Sequence, residues 1–223
     1  MKLDSYTLSV LKNFSSINPS LLVKPGNVLA TINASRSIYA RVTLPIEFPS
    51  RFAVHDLSKF ISALSLFDGP ELTITDKSVL ISDSTGRKVN YFHSAENTIK
   101  DHPPEKEVVM PAIEVSFKLL DKVLKDVIKA AYVLGLSNIT ITGDGTDLII
   151  GAEEIKKGSE QNSSNTYSVR IGPTDKTFKA VFKADIISKV LAGDYDVAIS
   201  KQAARFSDSN KEYFVAVEAT SAF

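Results

Sequence analysis

Residues 52–74, FAVHDLSKFISALSLFDGPELTI, decide the fold. Their first residues close an extended segment, IEFPSRFAV. DLSKFISALSLF at 56–67 then carries Leu57, Phe60, Ile61 and Leu64 at helical spacing. Asp56 is placed to cap that helix, and Asp68, Gly69 and Pro70 stop it. ELTIT, SVLISD and RKVNYFHS read as strands. The order returns at 178–199, FKAVFKADIISKVLAGDYDVAI, with similar apolar spacing. Followed on to Asp83 and Asp208, each copy runs strand, short helix, turn, strand, strand. A helix-plus-strands unit is therefore expected in each half of the chain.

Outward from this core, DSYTLSVLKNFSSI at 4–17 predicts a first helix, with Leu8, Leu11 and Phe14 on one side. Asp4 or Ser5 caps it, and Asn18 and Pro19 end it. SLLV, VLATINA and SIYARVTL read as strands around turns at KPGN and NASR. AENTIKDHPPEKE at 95–107 is polar, and Pro103 and Pro104 favour a stiff extended connector. It divides the chain into domains at 1–94 and 108–223. Beyond it come extended chain in VVMPAIEVSF, a third helix over 118–135, and a hairpin around GDGT. A polar loop at 156–165, strands TYSVRIG and TFKAVF, a fourth helix in KADIISKVLAG and three closing strands complete the chain. The class is α+β: two similar domains, each with helices on one face of antiparallel sheets. Such units repeated with helices on one side are expected to curve into a ring-like object.

The third helix, KLLDKVLKDVIKAAYVLG, sets Lys118, Lys122, Lys125 and Lys129 four, three and four residues apart. At about 100° per residue they occupy a narrow arc. Leu120, Val123, Leu124, Val127, Ala131 and Leu134 point the other way, as a packing face. Asp121 and Asp126 flank the stripe and partly offset it. Lys12 and Lys59, with several serines, lie on the non-core sides of the first two helices, and Lys189 belongs to the fourth; Lys2 is a weaker member of the set. No arginine falls in any of the four helices. Lysines are mobile point charges, so such a surface attracts phosphates without a bidentate lock. The 26 basic residues equal the 26 acidic ones, so affinity for a polyanion must come from arrangement and not from net charge.

Several chemistries are excluded. Without cysteine there is no disulfide, thiol nucleophile or thiolate metal site. His55, His93 and His102 lack metal-ligand spacing, and Asp144 and Asp147 in GDGTD read as a hairpin tip because the calcium-loop pattern is incomplete. No phosphate-binding G-x-x-x-x-G-K-[ST] and no G-x-S-x-G occurs. No cofactor and no enzymatic activity are expected. No run approaches the roughly 20 apolar residues of a bilayer span, and MKLDSYTLSVLKNF reads as folded protein; a soluble intracellular protein is expected.

The order of segments is similar to a known family. MKL with LKNFSSIN, then FAVHDLSKFISALSLFDGPELTI, then AGDYDVAIS, AARFSD and EYFVAVEA resemble the sliding clamp, or DNA polymerase processivity factor, of T4-like bacteriophages. The resemblance runs nearly the full length and rests on order and spacing, not on one motif. It implies a homotrimeric ring of the sliding-clamp fold around duplex DNA, with Lys2, Lys12, Lys59, Lys118, Lys122, Lys125, Lys129 and Lys189 facing the hole. It also implies an ATP-dependent clamp loader, a tethered DNA polymerase, support of late phage transcription, and work in the cytoplasm of the infected host. Partner peptides would enter a pocket near the domain junction, for which Val108, Val109 and Met110 are positional candidates; an ordinary buried strand is the competing reading. The alternative for the whole chain is a non-enzymatic scaffold of helix-on-sheet units with solvent-exposed lysine faces. A single-stranded nucleic-acid binder is disfavoured, because its aromatics would have to be exposed beside basic residues.

Overall fold

A computed structural model describes residues 1–155 and 165–223. All of the polar stretch 156–165 except Asn165 therefore lies outside the described residues. Two compact units divide at Glu105 and Lys106.

The first unit contains α1 (Ser5–Ile17), β1 (Leu21–Val23), β2 (Gly26–Ile32), β3 (Ile38–Phe48), β4 (Phe52–Val54), α2 (Leu57–Leu64), β5 (Glu71–Ile74), β6 (Ser78–Ser82) and β7 (Lys88–Phe92). Asp4 caps α1, accepting the Thr7 N–H at 2.8 Å and the Thr7 hydroxyl at 2.7 Å. Val10, Leu11, Phe14 and Ile17 form its buried face. Asn18 ends it, donating its N–H to the Phe14 carbonyl and its side-chain amide to Ile32. Asp56 caps α2 through the Lys59 N–H at 2.8 Å, and Leu57, Phe60 and Leu64 are buried. α1 packs on β2, β3 and α2, and α2 on β7. All pairings are antiparallel: β1 with β4, β2 with β3, and the meander β5-β6-β7. One 3-10 turn, Glu96–Thr98, is held by the Arg51–Glu96 ion pair, and Ile99 behind it is buried.

The second unit contains β8 (Val115–Leu119), α3 (Asp121–Leu134), β9 (Asn138–Asp144), β10 (Asp147–Glu153), β11 (Tyr167–Pro173), β12 (Thr177–Lys183), α4 (Ala184–Ile187), β13 (Tyr195–Ile199), β14 (Ala203–Ser207) and β15 (Lys211–Ala216). Its strands order as β11-β10-β9-β12 and β8-β13-β14-β15, all antiparallel. α3 lies on β9, β10 and β11, and α4 on β9 and β12. Tyr195 meets Phe206 and Tyr213 edge-on in the core.

The first unit thus runs helix, four strands, helix, three strands, and the second repeats that order after the added strand β8. The pairings repeat as well: β1–β4 matches β9–β12, and a bridge from Lys2 to Glu71 on β5 stands where β8 pairs with β13.

Four expectations change. The third helix begins at Asp121, not at residue 118, because Val115, Phe117 and Leu119 alternate as a strand paired with β13. Asp194 accepts the Asp121 N–H, and Asp121 accepts the Gly193 N–H, fixing the helix start after the strand. Leu120 and Leu134, expected in the packing face, are exposed at the two ends of α3, and Val123 is half-buried. Gly135 closes α3 at φ +66°, with Leu136 N–H donating to the Ala131 carbonyl. The fourth helix is four residues long: Lys183 ends β12, and Lys189 falls in the turn beyond α4. Strand structure in the second unit begins at Val115, so 108–114 is irregular.

Gly143 is required by close approach. A Cβ there would stand 2.4 Å from the Lys176 carbonyl oxygen and 2.8 Å from the Phe178 ring. Gly143→Ala should destabilise the protein by about 1–3 kcal/mol. Urea unfolding checks this, and an unchanged midpoint would contradict the close approach.

Candidate nucleic-acid interface

α3 buries Leu124, Val127 and Ala131 against its sheet. That choice of face turns Lys122, Lys125 and Lys129 to solvent on the other side. Lys125 Nζ lies 2.5 Å from Asp121 Oδ2, and Lys122 Nζ lies 2.6 Å from Asp126 Oδ2, both four residues apart on the helix. The acid precedes the base in the first pair, the better orientation, and follows it in the second. Lys129 makes no ion pair among the described residues. With three lysines against two aspartates, the face is positive by one charge.

The hydrogen bond that Lys122 donates to Asp126 raises the Lys122 pKa. The hydrogen bond from Lys125, with the Gly193 N–H, holds the Asp121 carboxyl below the usual carboxylate range despite desolvation. Exposed pairs of this type contribute little to stability, so a phosphate can replace either aspartate.

Lys12 on α1 and Lys59 on α2 are exposed and make no ion pair among the described residues. The neighbouring serines donate back to their own helices: Ser9 to the Tyr6 carbonyl, Ser16 to Asn13, Ser62 to Ser58 and Ser65 to Ser62. Their hydroxyl protons are thereby occupied, leaving lysine as the exposed cation of these faces.

Three members of the set leave the helix faces. Lys118 stands on β8, its ammonium 2.8 Å from Asp196 across the ladder, and that contact raises its pKa. Lys189 is half-buried in the turn after α4, where the Lys189 N–H donates to Ile186. Lys2 is exposed but belongs to the bridge with Glu71. Val108, Val109 and Met110 occupy irregular chain; Val109 is 81% exposed, which overturns the reading as a buried strand. GDGTD is a hairpin tip: Asp144 accepts the N–H groups of Thr146 and Asp147, and Asp147 pairs with Arg170.

Sequence reasoning missed a second feature. Tyr132, 89% exposed, and Val133 end α3 with apolar surface, and Tyr132 follows Lys125 by two helical turns. Leu66 and Phe92, the latter 67% exposed, do the same in the first unit beside α2 and on β7. β7 and β11 each end their sheets among the described residues. The far edge of β12 is covered instead, by backbone bonds from residues 218 and 222 to Val181 and Lys179. No helix among the described residues is long and apolar enough to cross a membrane.

Residues 2–98 match the family model described as DNA polymerase processivity factor, and residues 116–219 match that described as gp45 sliding clamp, C terminal. The chain is 32% identical over 225 residues to the sliding clamp of Vibrio phage KVP40, covering 98% of this chain and 100% of that one. It is 28% identical over 229 residues to the sliding clamp of Escherichia phage RB69, covering 99% and 98%. The solved PCNA of Thermococcus kodakaraensis aligns with a TM-score of 0.70 at 16% identity, over 98% of this chain and 99% of that chain, which shows a shared fold.

The Asp121 pair has a pH signature. Its folded pKa lies below the unfolded value of about 3.9, so the stabilisation is complete above that value and is lost as pH falls through the folded pKa. Lys125→Met should raise the Asp121 pKa, measured by carboxyl NMR titration, and move acid unfolding to higher pH. An unmoved Asp121 titration would contradict the assigned cause.

Proposed function

Because the chain belongs to the sliding-clamp family, the DNA polymerase processivity factors of T4-like phages, we propose that three copies close into a ring around duplex DNA and tether a replicative polymerase. The fold is the α+β sliding-clamp fold. The observation that carries the proposal is the α3 face, where Lys122, Lys125 and Lys129 project opposite the buried Leu124, Val127 and Ala131. Lys12 and Lys59 supply the same chemistry from α1 and α2.

The mechanism needs weak contact. Each lysine meets a phosphate as a point charge and carries no base information. Displaced aspartates return to their lysines as the duplex moves on, so sliding exchanges one exposed ion pair for another. Retention comes from encirclement, not affinity. The chain performs no catalysis; an ATP-dependent clamp loader opens the ring, and the polymerase and late-transcription factors attach to it in the cytoplasm of the infected host. The exposed Val109 offers apolar surface to partner peptides near the connector.

Ring closure uses unlike edges. β7 of one subunit pairs with β11 of the next, with Phe92 and Leu66 meeting Tyr132 and Val133. Such a head-to-tail contact closes when the rotation per subunit divides a full circle.

Replacing Lys122, Lys125 and Lys129 together by Ala should leave folding intact and shorten processive synthesis. The slope of log affinity against log salt should fall by about 0.9 per lost phosphate contact. Normal loading and synthesis at physiological salt would remove the stripe from the mechanism. A loaded wild-type ring should escape from linear duplex and stay on a closed circle. Phe92→Asp should shift sedimentation from trimer to monomer with an unchanged circular dichroism spectrum; a persistent trimer would exclude the β7–β11 contact.

A further inference from the structure

Lys118 leaves the helix stripe for a different setting. On the solvent face of the β8-β13-β14 sheet, Ser116, Ala198 and Arg205 align in one row across the strands, and Lys118 aligns with Asp196 in the next. Ala198 is short, and between Ser116 and Arg205 it leaves the floor of a groove of about 300 Å³. Ile113, 51% exposed, forms one wall.

The charges in this groove are unequal. The Lys118 ammonium is matched by Asp196 at 2.8 Å. Arg205 has no counter-ion among the described residues, and its Nε is buried without a hydrogen-bond partner. The outer N–H groups of the same guanidinium also have no partner among the described residues, and the group that satisfies them best is a carboxylate, which can accept two parallel bonds from the fork. β8 ends its sheet among the described residues, so its outer backbone groups are open to an added strand. Val108, Val109 and Met110 do not line the groove.

We propose that this groove binds an extended acidic peptide segment of a partner protein, which adds to the edge of β8 and places one carboxylate on Arg205 and an apolar side chain on Ile113. Alternate side chains of an added strand face the same way, about 7 Å apart, so one can reach Arg205 while its neighbour covers Ile113. Phosphate on duplex DNA fits less well, because Asp196 stands within the groove and an extended duplex would have to approach it. The groove lies wholly within the second unit and uses none of the α3 lysines, so it is independent of DNA encirclement.

The test is fluorescence anisotropy on the full chain with an end-blocked, labelled peptide Leu-Thr-Asp-Thr-Val-Thr and its Asp→Asn counterpart. The acidic peptide should bind, and the Asn form should bind about tenfold more weakly or worse, as expected for loss of a charge-assisted bond. Arg205→Ala should cause a similar loss, and so should Ile113→Asp, a change in exposed irregular chain that leaves the sheet intact. Both variants should retain wild-type sedimentation and retention on circular DNA, which separates this site from ring formation. Absent binding, or equal affinity for both peptides or for wild type and Arg205→Ala, would overturn the assignment. Loss of duplex binding or of self-association in Arg205→Ala would overturn it equally, by giving the groove to DNA or to a second copy.

Discussion

Burial of Leu124, Val127 and Ala131 of α3 on β9, β10 and β11 is the constraint from which the rest follows. Fully burying a Leu or Val side chain contributes about 1.5–3 kcal/mol. The exposed ion pairs on the opposite face contribute little. Packing therefore sets the roll of the helix, and charge does not. Once the roll is fixed, the 3.6-residue period leaves Lys122, Lys125 and Lys129 only one place to go. The lysines are spared a structural task and remain available to a ligand.

The two aspartates on that face are not equivalent. Asp121 Oδ1 accepts the Gly193 N–H while Oδ2 holds Lys125, so this carboxylate ties the helix start to a turn. When Lys125 meets a phosphate, Asp121 keeps its backbone partner. Among the described residues Asp126 has only the exposed contact to Lys122. Either way the exchange leaves no buried group unsatisfied, as the proposed sliding contact with DNA requires. An arginine fork would hold longer and would oppose sliding.

The two units share an order of elements and differ at their edges. In the second unit residues 218–222 close the edge of β12, so within that sheet β11 is the open one. In the first, β7 is open and carries exposed Phe92. Open edges invite pairing, and proteins that do not want it cover them. Covering β12 and leaving β7 and β11 gives the proposed assembly a single direction of growth. The edge of β8 is chemically different: its solvent face is polar, with Arg205 lacking a counter-ion among the described residues.

Local patterning carried much of this molecule. Capping aspartates at 4 and 56, the Gly135 stop, the GDGTD tip and the repeated strand–helix–strand order were legible because each rests on bonds or periodicities within a few residues. Lys118 was not. KLLDKVLKD fits a helix as well as a strand end, and only the ladder to β13 and the Asp194 and Asp121 contacts to distant backbone decided between them. The exposure of Leu120 and Leu134, the four-residue α4 and the groove beside Arg205 had the same origin. The sequence by itself determined which residues could form a buried face and where charge would collect. The tertiary structure alone decided where each element stopped and which strand edges stayed open, because those outcomes depend on distant partners, such as Asp196, 78 residues from Lys118 along the chain, which no local period encodes.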